Sequence, residues 1–89
     1  MLTQDLINHL RTFNQNDLFM VRMIFHDNQI DFDWDGERQT VKEVISGLET
    51  FNNTTIYIDI EDGFTYRPVI GVESRYWSKD TNYLDFISN

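Results

Sequence analysis

The stretch Leu10–Leu18, LRTFNQNDL, returns from position 48 onward as Leu48–Ile56, LETFNNTTI. In both copies the apolar residues fall at helical spacing, and the period changes to two after the helix. The sequence therefore predicts two amphipathic helices, each followed by strands and each ending at an Asn that tolerates a left-handed C-cap. The repeat is explained either by an internal αββ duplication or by chance, because amphipathic helices are built from the same few residue types. The identical pairs are Ile7/Ile45, Leu10/Leu48, Thr12/Thr50, Phe13/Phe51 and Asn14/Asn52.

Both predicted helices have start signals. Thr40 and Glu43 form a capping box, in which each side chain satisfies a free backbone N–H at the start of the second helix. Thr3 is the expected N-cap of the first helix, with Asp5 near the positive end of its dipole.

Alternating apolar and polar residues predict two hairpins. The first joins strands at Leu18–Phe25 and Ile30–Trp34. The second begins at Ile56 and turns at Asp62-Gly63, a type I′ signal. Pro68 requires its returning strand to start late, to bulge or to lie at an edge.

A closing strand is expected at residues 83–87, with a helix as the alternative. The predicted fold is a single α+β domain, residues 1–89, in the order αββαββ(β). Its two layers are two helices packed on one face of a four- or five-stranded antiparallel sheet.

Composition and charge narrow the function classes. The chain has 89 residues, 40% of them hydrophobic, which suits one modest core. A net charge of −8 repels nucleic acid and anionic membranes, so direct nucleic-acid binding is not expected. There is no cysteine, no apolar run of about 18 residues, and no basic leader at the N-terminus. We expect a soluble cytoplasmic protein.

The segment Asp31-Phe-Asp33-Trp-Asp35-Gly36 begins like an EF-hand calcium loop. Position twelve of such a loop should be Glu and here it is Lys42, and the upstream stretch alternates like a strand rather than a helix. The sequence therefore favours a strand that ends near Gly36, with Trp34 facing the core and the Asp residues facing water. No metal site is predicted, although a looser divalent-metal site formed by Asp33, Asp35 and Glu37 is an alternative.

Alternate residues on a strand lie about 6.6 Å apart on one face. The carboxylates of this strand therefore form a line of like charges, which neighbouring acids can widen. Such a line can imitate a phosphate backbone to a protein that binds one through Arg and Lys; a plain solvated face is the alternative. The predicted acidic stripe consists of Asp27, Asp31, Asp33, Asp35, Glu37, Asp59, Glu61 and Asp62.

Catalytic patterns are missing from the sequence. It contains no Cys nucleophile, no Gly-rich phosphate loop and no serine elbow, and His9 and His26 are isolated. We therefore expect a non-enzymatic protein without a cofactor.

Aromatic and arginine residues are concentrated in the second half of the chain. Such residues are enriched at protein interfaces, so they predict a second surface, used for self-association; core packing is the alternative. This predicted surface consists of Tyr66, Arg67, Arg75, Tyr76 and Trp77.

The segment from about 40 to 74 resembles a loose class of short accessory proteins from phages and prophages of low-GC Gram-positive bacteria. Their pattern is a Thr-Val-x-Glu helix start, a strand, an Asp/Gly turn and a Tyr-x-Pro-Val strand. The resemblance implies a mobile-element setting and no catalytic residues. The matching positions are Thr40, Val41, Glu43, Val44, Ile45, Tyr66, Pro68, Val69 and Val72.

These observations lead to one functional hypothesis and two alternatives. The leading hypothesis is a protein that binds a basic, nucleic-acid-handling protein through the acidic stripe, in the manner of a nucleic-acid mimic. The alternatives are a divalent-metal-binding module and a self-assembling structural protein.

Overall fold

The computed structural model describes residues 1–61, 63–76 and 82–89, and for Tyr76 the backbone alone. Six strands form one mixed sheet in the order β1-β6-β5-β4-β3-β2. Parallel pairs join β1 to β6 and β3 to β4, and the other three pairs are antiparallel. The elements are α1 (Thr3–Leu10), β1 (Leu18–Phe19), β2 (Arg22–His26), β3 (Gln29–Asp33), α2 (Val41–Leu48), β4 (Tyr57–Asp59), β5 (Tyr66–Tyr76) and β6 (Asn82–Ser88).

The two edge strands of this sheet are neighbours in the chain, because only Met20 and Val21 separate β1 from β2. The sheet therefore curls until its edges nearly meet, and it forms a nearly closed barrel. The predicted four- or five-stranded antiparallel sheet with two helices on one face is wrong. The stretch predicted as one strand, residues 18–25, is instead divided between the two edges, and both parallel pairings join strands that are distant in sequence or separated by a helix.

Gln39 bridges the remaining gap between the edges. Its carbonyl oxygen accepts a hydrogen bond from the Phe19 N–H of β1 at 2.8 Å. Its side-chain Oε1 accepts from the Met23 N–H of β2 at 2.9 Å, and its Nε2 donates to the Met23 carbonyl at 3.4 Å. One residue thus satisfies backbone groups on both edges, which would otherwise lack strand partners.

The repeat in the sequence corresponds to a repeat in the structure. Thr12 and Thr50 each donate a hydroxyl hydrogen bond to the carbonyl three residues earlier, at 2.6 and 2.7 Å. The Thr3 N–H donates to Thr54 O, and the equivalent Val41 N–H donates to Asp17 O. The repeating unit is αβββ, because each helix precedes three strands; the predicted αββ unit omitted one strand.

The helices are shorter than predicted. Both end with Arg11 and Glu49 as right-handed C-caps, and the residues described with positive φ are Asp27, Asn28 and Gly63, so the predicted left-handed Asn caps are wrong. The capping box at the start of α2 is confirmed.

Thr3 does not cap α1. Leu2 is the N-cap residue, and Thr3 is buried with its hydroxyl donating to Asn52 O at 2.6 Å. This hydrogen bond from Thr3 to the segment after α2 replaces the local N-cap that the sequence predicted.

The helices and the inward side of the sheet share one core. Leu6, Leu10, Val44 and Leu48 of the helices are fully buried against strand residues such as Ile30. Neither helix in the described residues has the length and apolar character needed to cross a membrane.

Pro68 is accommodated inside β5. The Val69 N–H donates to Ile56 O beside β4, so the missing N–H of Pro68 faces the β6 side, where pairing stops at Ser88. A bulge follows between Val69 and Gly71. The predicted closing strand is confirmed as β6, and its helical alternative is excluded.

Candidate functional site

Strands β3 and β4 place several predicted residues at one end of the barrel. The two strands are parallel, with Ile30 opposite Ile58, so their C-terminal ends lie at the same end of the sheet. The residues that follow them therefore gather there. We call this end, formed by residues 34–37, 60, 61, 63 and 64, the barrel mouth; Asp62, which the sequence placed in the acidic stripe, lies outside the described residues.

Three large apolar side chains at the barrel mouth are exposed. Trp34 is 72% exposed, Phe64 88% and Ile60 44%. The prediction that Trp34 faces the core is wrong, because β3 ends at Asp33 and its alternation ends there. The Trp34 ring instead lies 6.0 Å from the partly buried ring of Phe32, centroid to centroid. Exposed aromatic side chains grouped this way are typical of protein-binding surfaces.

Trp34 separates two grooves at the barrel mouth. The first has a volume of about 320 Å³ and combines Asp59, Glu61 and Asp85 with apolar residues that include Phe86. The second has a volume of about 330 Å³ and runs past Met20, Glu37 and Arg38. A partner that contacts Trp34 therefore meets a cleft on either side.

The carboxylates of the predicted stripe divide into two groups. Asp35, Glu37 and Glu61 are exposed at the barrel mouth, and the described contact of their carboxylates is one hydrogen bond, from the Thr65 hydroxyl to Glu61. Their charges are therefore available to a partner.

The other carboxylates hold local structure. Asp59 is buried, and its two oxygens accept from the N–H groups of Glu61 and Gly63 at 3.0 and 2.5 Å, which shapes the β4–β5 turn. Asp33 accepts from the Asp35 N–H at 3.1 Å in the turn after β3.

Asp31 accepts a hydrogen bond from the Tyr66 hydroxyl at 2.8 Å. This bond is the main reason that the pKa of Tyr66 is raised; burial and the charges of Asp31 and Asp59 raise it further. Tyr66 thus belongs to the acidic side of the molecule.

Asp27 lies apart from the other described carboxylates of the predicted acidic stripe. It lies in the turn before β3, at the opposite end of that strand from Trp34, and pairs with His26 at 3.2 Å. The structure therefore brings together part of the predicted stripe and separates Asp27 from it.

Ion pairs do not neutralise the barrel mouth within the part of the chain that is described. The ion pairs among the described residues join His26 to Asp27, and Arg75 to Glu73 and Asp85. The same described ranges contain no group of three His, Cys, Asp or Glu residues arranged to hold a metal ion. No contact among the described residues therefore favours the divalent-metal alternative.

The predicted self-association surface is dispersed along β5. Tyr66 and Arg75 lie nine residues apart on one strand, a distance of about 30 Å. Arg67 is exposed near the Tyr66 end, whereas the Tyr76 side chain and Trp77 lie outside the described residues. The described residues of this set do not form one patch.

Arg75 instead joins two carboxylates of neighbouring strands. Its guanidinium contacts Glu73 at 2.5 Å and Asp85 at 3.9 Å. The hydrogen bond and charge of Glu73 raise the pKa of Arg75. Burial raises the pKa of the Asp85 carboxyl, and this effect exceeds the opposing attraction of Arg75.

Sequence reasoning missed Ile60, Phe64 and Asp85. An aromatic residue directly after an Asp-Gly turn is a usable signal for Phe64, since turn tips lie at the surface. Asp85 could not be found this way, because its place in the first groove depends on β6 pairing with β5.

Comparison of the chain with protein-family models, with curated proteins and with solved structures gives no match. The function proposed below therefore depends on the geometry of the barrel mouth.

Proposed function

We propose that this chain is a non-enzymatic domain that binds a basic partner protein through the barrel mouth. The partner we infer is a nucleic-acid-handling protein, whose basic surface the carboxylates would engage in place of phosphates. The observation that carries the proposal is the combination, at one end of a barrel, of Trp34, Ile60 and Phe64 with Asp35, Glu37 and Glu61.

The two sets of residues contribute differently to such an interface. Desolvated aromatic anchors supply most of the binding free energy at protein interfaces. Surrounding charges mainly speed association and select partners of opposite charge. With a net charge of −8, the chain attracts basic partners from a distance, and the barrel mouth offers them an apolar centre.

A matched pair of triple variants tests the proposal. The first, Asp35→Asn/Glu37→Gln/Glu61→Gln, removes three charges at the barrel mouth. The second, Asp5→Asn/Asp27→Asn/Glu49→Gln, removes three exposed charges elsewhere. Both variants change the net charge from −8 to −5 and spare the buried Asp59.

The tagged protein and both variants are used to capture proteins from a bacterial lysate, and the affinity of a captured, purified protein is then measured at several salt concentrations. We expect the barrel-mouth variant to lose about tenfold or more in affinity, since each rim charge contributes up to about 1 kcal/mol, and the control variant to lose much less. Equal losses in the two variants would overturn the proposal, because only net charge would then matter.

The phage or prophage setting implied by the resemblance and the cytoplasmic location stay predictions.

A further inference from the structure

The first groove has a chemistry that differs from the rest of the barrel mouth. Its polar side chains include three carboxylates, those of Asp59, Glu61 and Asp85, and no Lys or Arg of the described residues lines it. Trp34 forms one wall, and Phe32 and Phe86 lie among its apolar residues. The groove therefore combines negative charge with aromatic surface.

We propose that the first groove receives an arginine side chain of the partner, whose guanidinium stacks on Trp34 and pairs with the Asp85 and Glu61 carboxylates. This inference rests on the proposed function and deepens it, since it names the group that the partner inserts. The charge complementarity of the groove identifies the occupant as a cation.

The aromatic wall selects arginine over lysine. A guanidinium is planar and weakly hydrated, stacks on an indole face and can bond a carboxylate with two parallel N–H groups. The lysine ammonium is compact and strongly hydrated, so it loses more on entering a partly apolar cleft. A volume of about 320 Å³ is at the lower end of ligand pockets, so it suits one side chain rather than a helix.

Asp85 is a partly buried carboxylate of this groove whose described cation is not in close contact. It is 27% exposed, and its described cation, Arg75, lies 3.9 Å away while contacting Glu73 more closely. Burial raises the pKa of Asp85, and a guanidinium in the groove would lower it again.

The test uses three short Gly/Ser peptides that are identical except for one repeated residue: arginine, lysine or citrulline. Binding is followed by NMR of the Trp34 indole N–H and of the Asp85 carboxyl, in the full chain. We expect the arginine peptide to bind about fivefold more tightly than the lysine peptide, from the magnitude of a partly desolvated cation–π contact. The citrulline peptide should not bind detectably.

Two variants make the test specific. Trp34→Leu should abolish the preference for arginine over lysine while leaving the fold intact, because Trp34 is largely exposed. Tyr57→Leu is the matched control, since Tyr57 is an exposed aromatic residue outside the groove. With wild-type protein, the arginine peptide should lower the pKa of Asp85.

Equal affinity for arginine and lysine, with NMR changes confined to Asp35 and Glu37, would overturn the groove inference and leave the proposed function standing. Binding of all three peptides alike would also overturn it. If a captured partner depends on the barrel-mouth carboxylates but its binding leaves Trp34 and Asp85 unchanged, the groove inference again fails alone.

Discussion

Gly47 lies where α2 packs on strand β2, and its lack of a side chain makes room for the ring of Phe25. A Cβ at this position would clash with three atoms of that ring. In an exposed helix, replacing Gly with Ala stabilises by about 1 kcal/mol. We expect Gly47→Ala to destabilise the protein instead, by about 1–3 kcal/mol, because the core would be overpacked.

Urea unfolding measures this effect. Gly71→Ala is the control, since its added Cβ would lie 3.6 Å from Ile87 Cδ1, an ordinary contact distance. A Gly47→Ala variant as stable as the wild type would show that Phe25 does not pack there as described.

The hydrogen bond from Tyr66 to Asp31 makes stability depend on pH in the alkaline range. The pKa of Tyr66 is raised in the folded state above its ordinary value of 10.0. The stabilisation is therefore complete below pH 10 and is lost as pH rises through the folded pKa. We expect a spectroscopic titration to show a tyrosine ionisation above pH 10, and Tyr66→Phe to remove that late step.

At the scale of elements, Gln39 closes the seam between β1 and β2. Gln39→Ala should destabilise the fold by about 1–3 kcal/mol, because the Met23 N–H and carbonyl lose their partner near the protein interior. Amide hydrogen exchange should accelerate at Met23 more than at Ile30, a core residue of β3. Uniform acceleration at both amides would mean that the seam does not open locally.

The sequence predicted the elements better than their arrangement. The capping box, both helix positions and β6 follow from local patterns, and the structure has all of them. Strand β1 has only two residues, too few to show alternation, so its parallel pairing with β6 left no local signal. The helix after β3 makes the parallel pairing of β3 and β4 possible, but it does not require that pairing.

The candidate site was also predictable only in part, because its residues follow from local patterns and their arrangement does not. Asp35, Glu37 and Glu61 stand out in the sequence as exposed acids near turns, and the structure brings them to one end. Their grouping depends on the register of β3 on β4, which sets Ile30 against Ile58. Register between distant strands is decided by tertiary packing and cannot be read from local periodicity.

At the scale of the whole molecule, the two αβββ halves are interlocked. Strand β1 of the first half pairs with β6 of the second, and β3 pairs with β4. Further bridges join Leu2 to Thr55 and Leu18 to Thr40. Each half therefore leaves strand edges and core residues exposed when it is alone.

We expect fragments 1–37 and 38–89 to be unfolded separately and to assemble into the native fold when mixed. Circular dichroism of each fragment and of the mixture measures this. A fragment that folds cooperatively alone would contradict the interlocked arrangement.

The most direct test of the functional account is a hydrogen-exchange footprint of the chain in complex with a captured basic partner. We expect protection of amides at 34–37 and at 60, 61, 63 and 64, the two segments of the barrel mouth, with little change in α1. Protection centred on α1 and α2, with the barrel mouth unchanged, would contradict it.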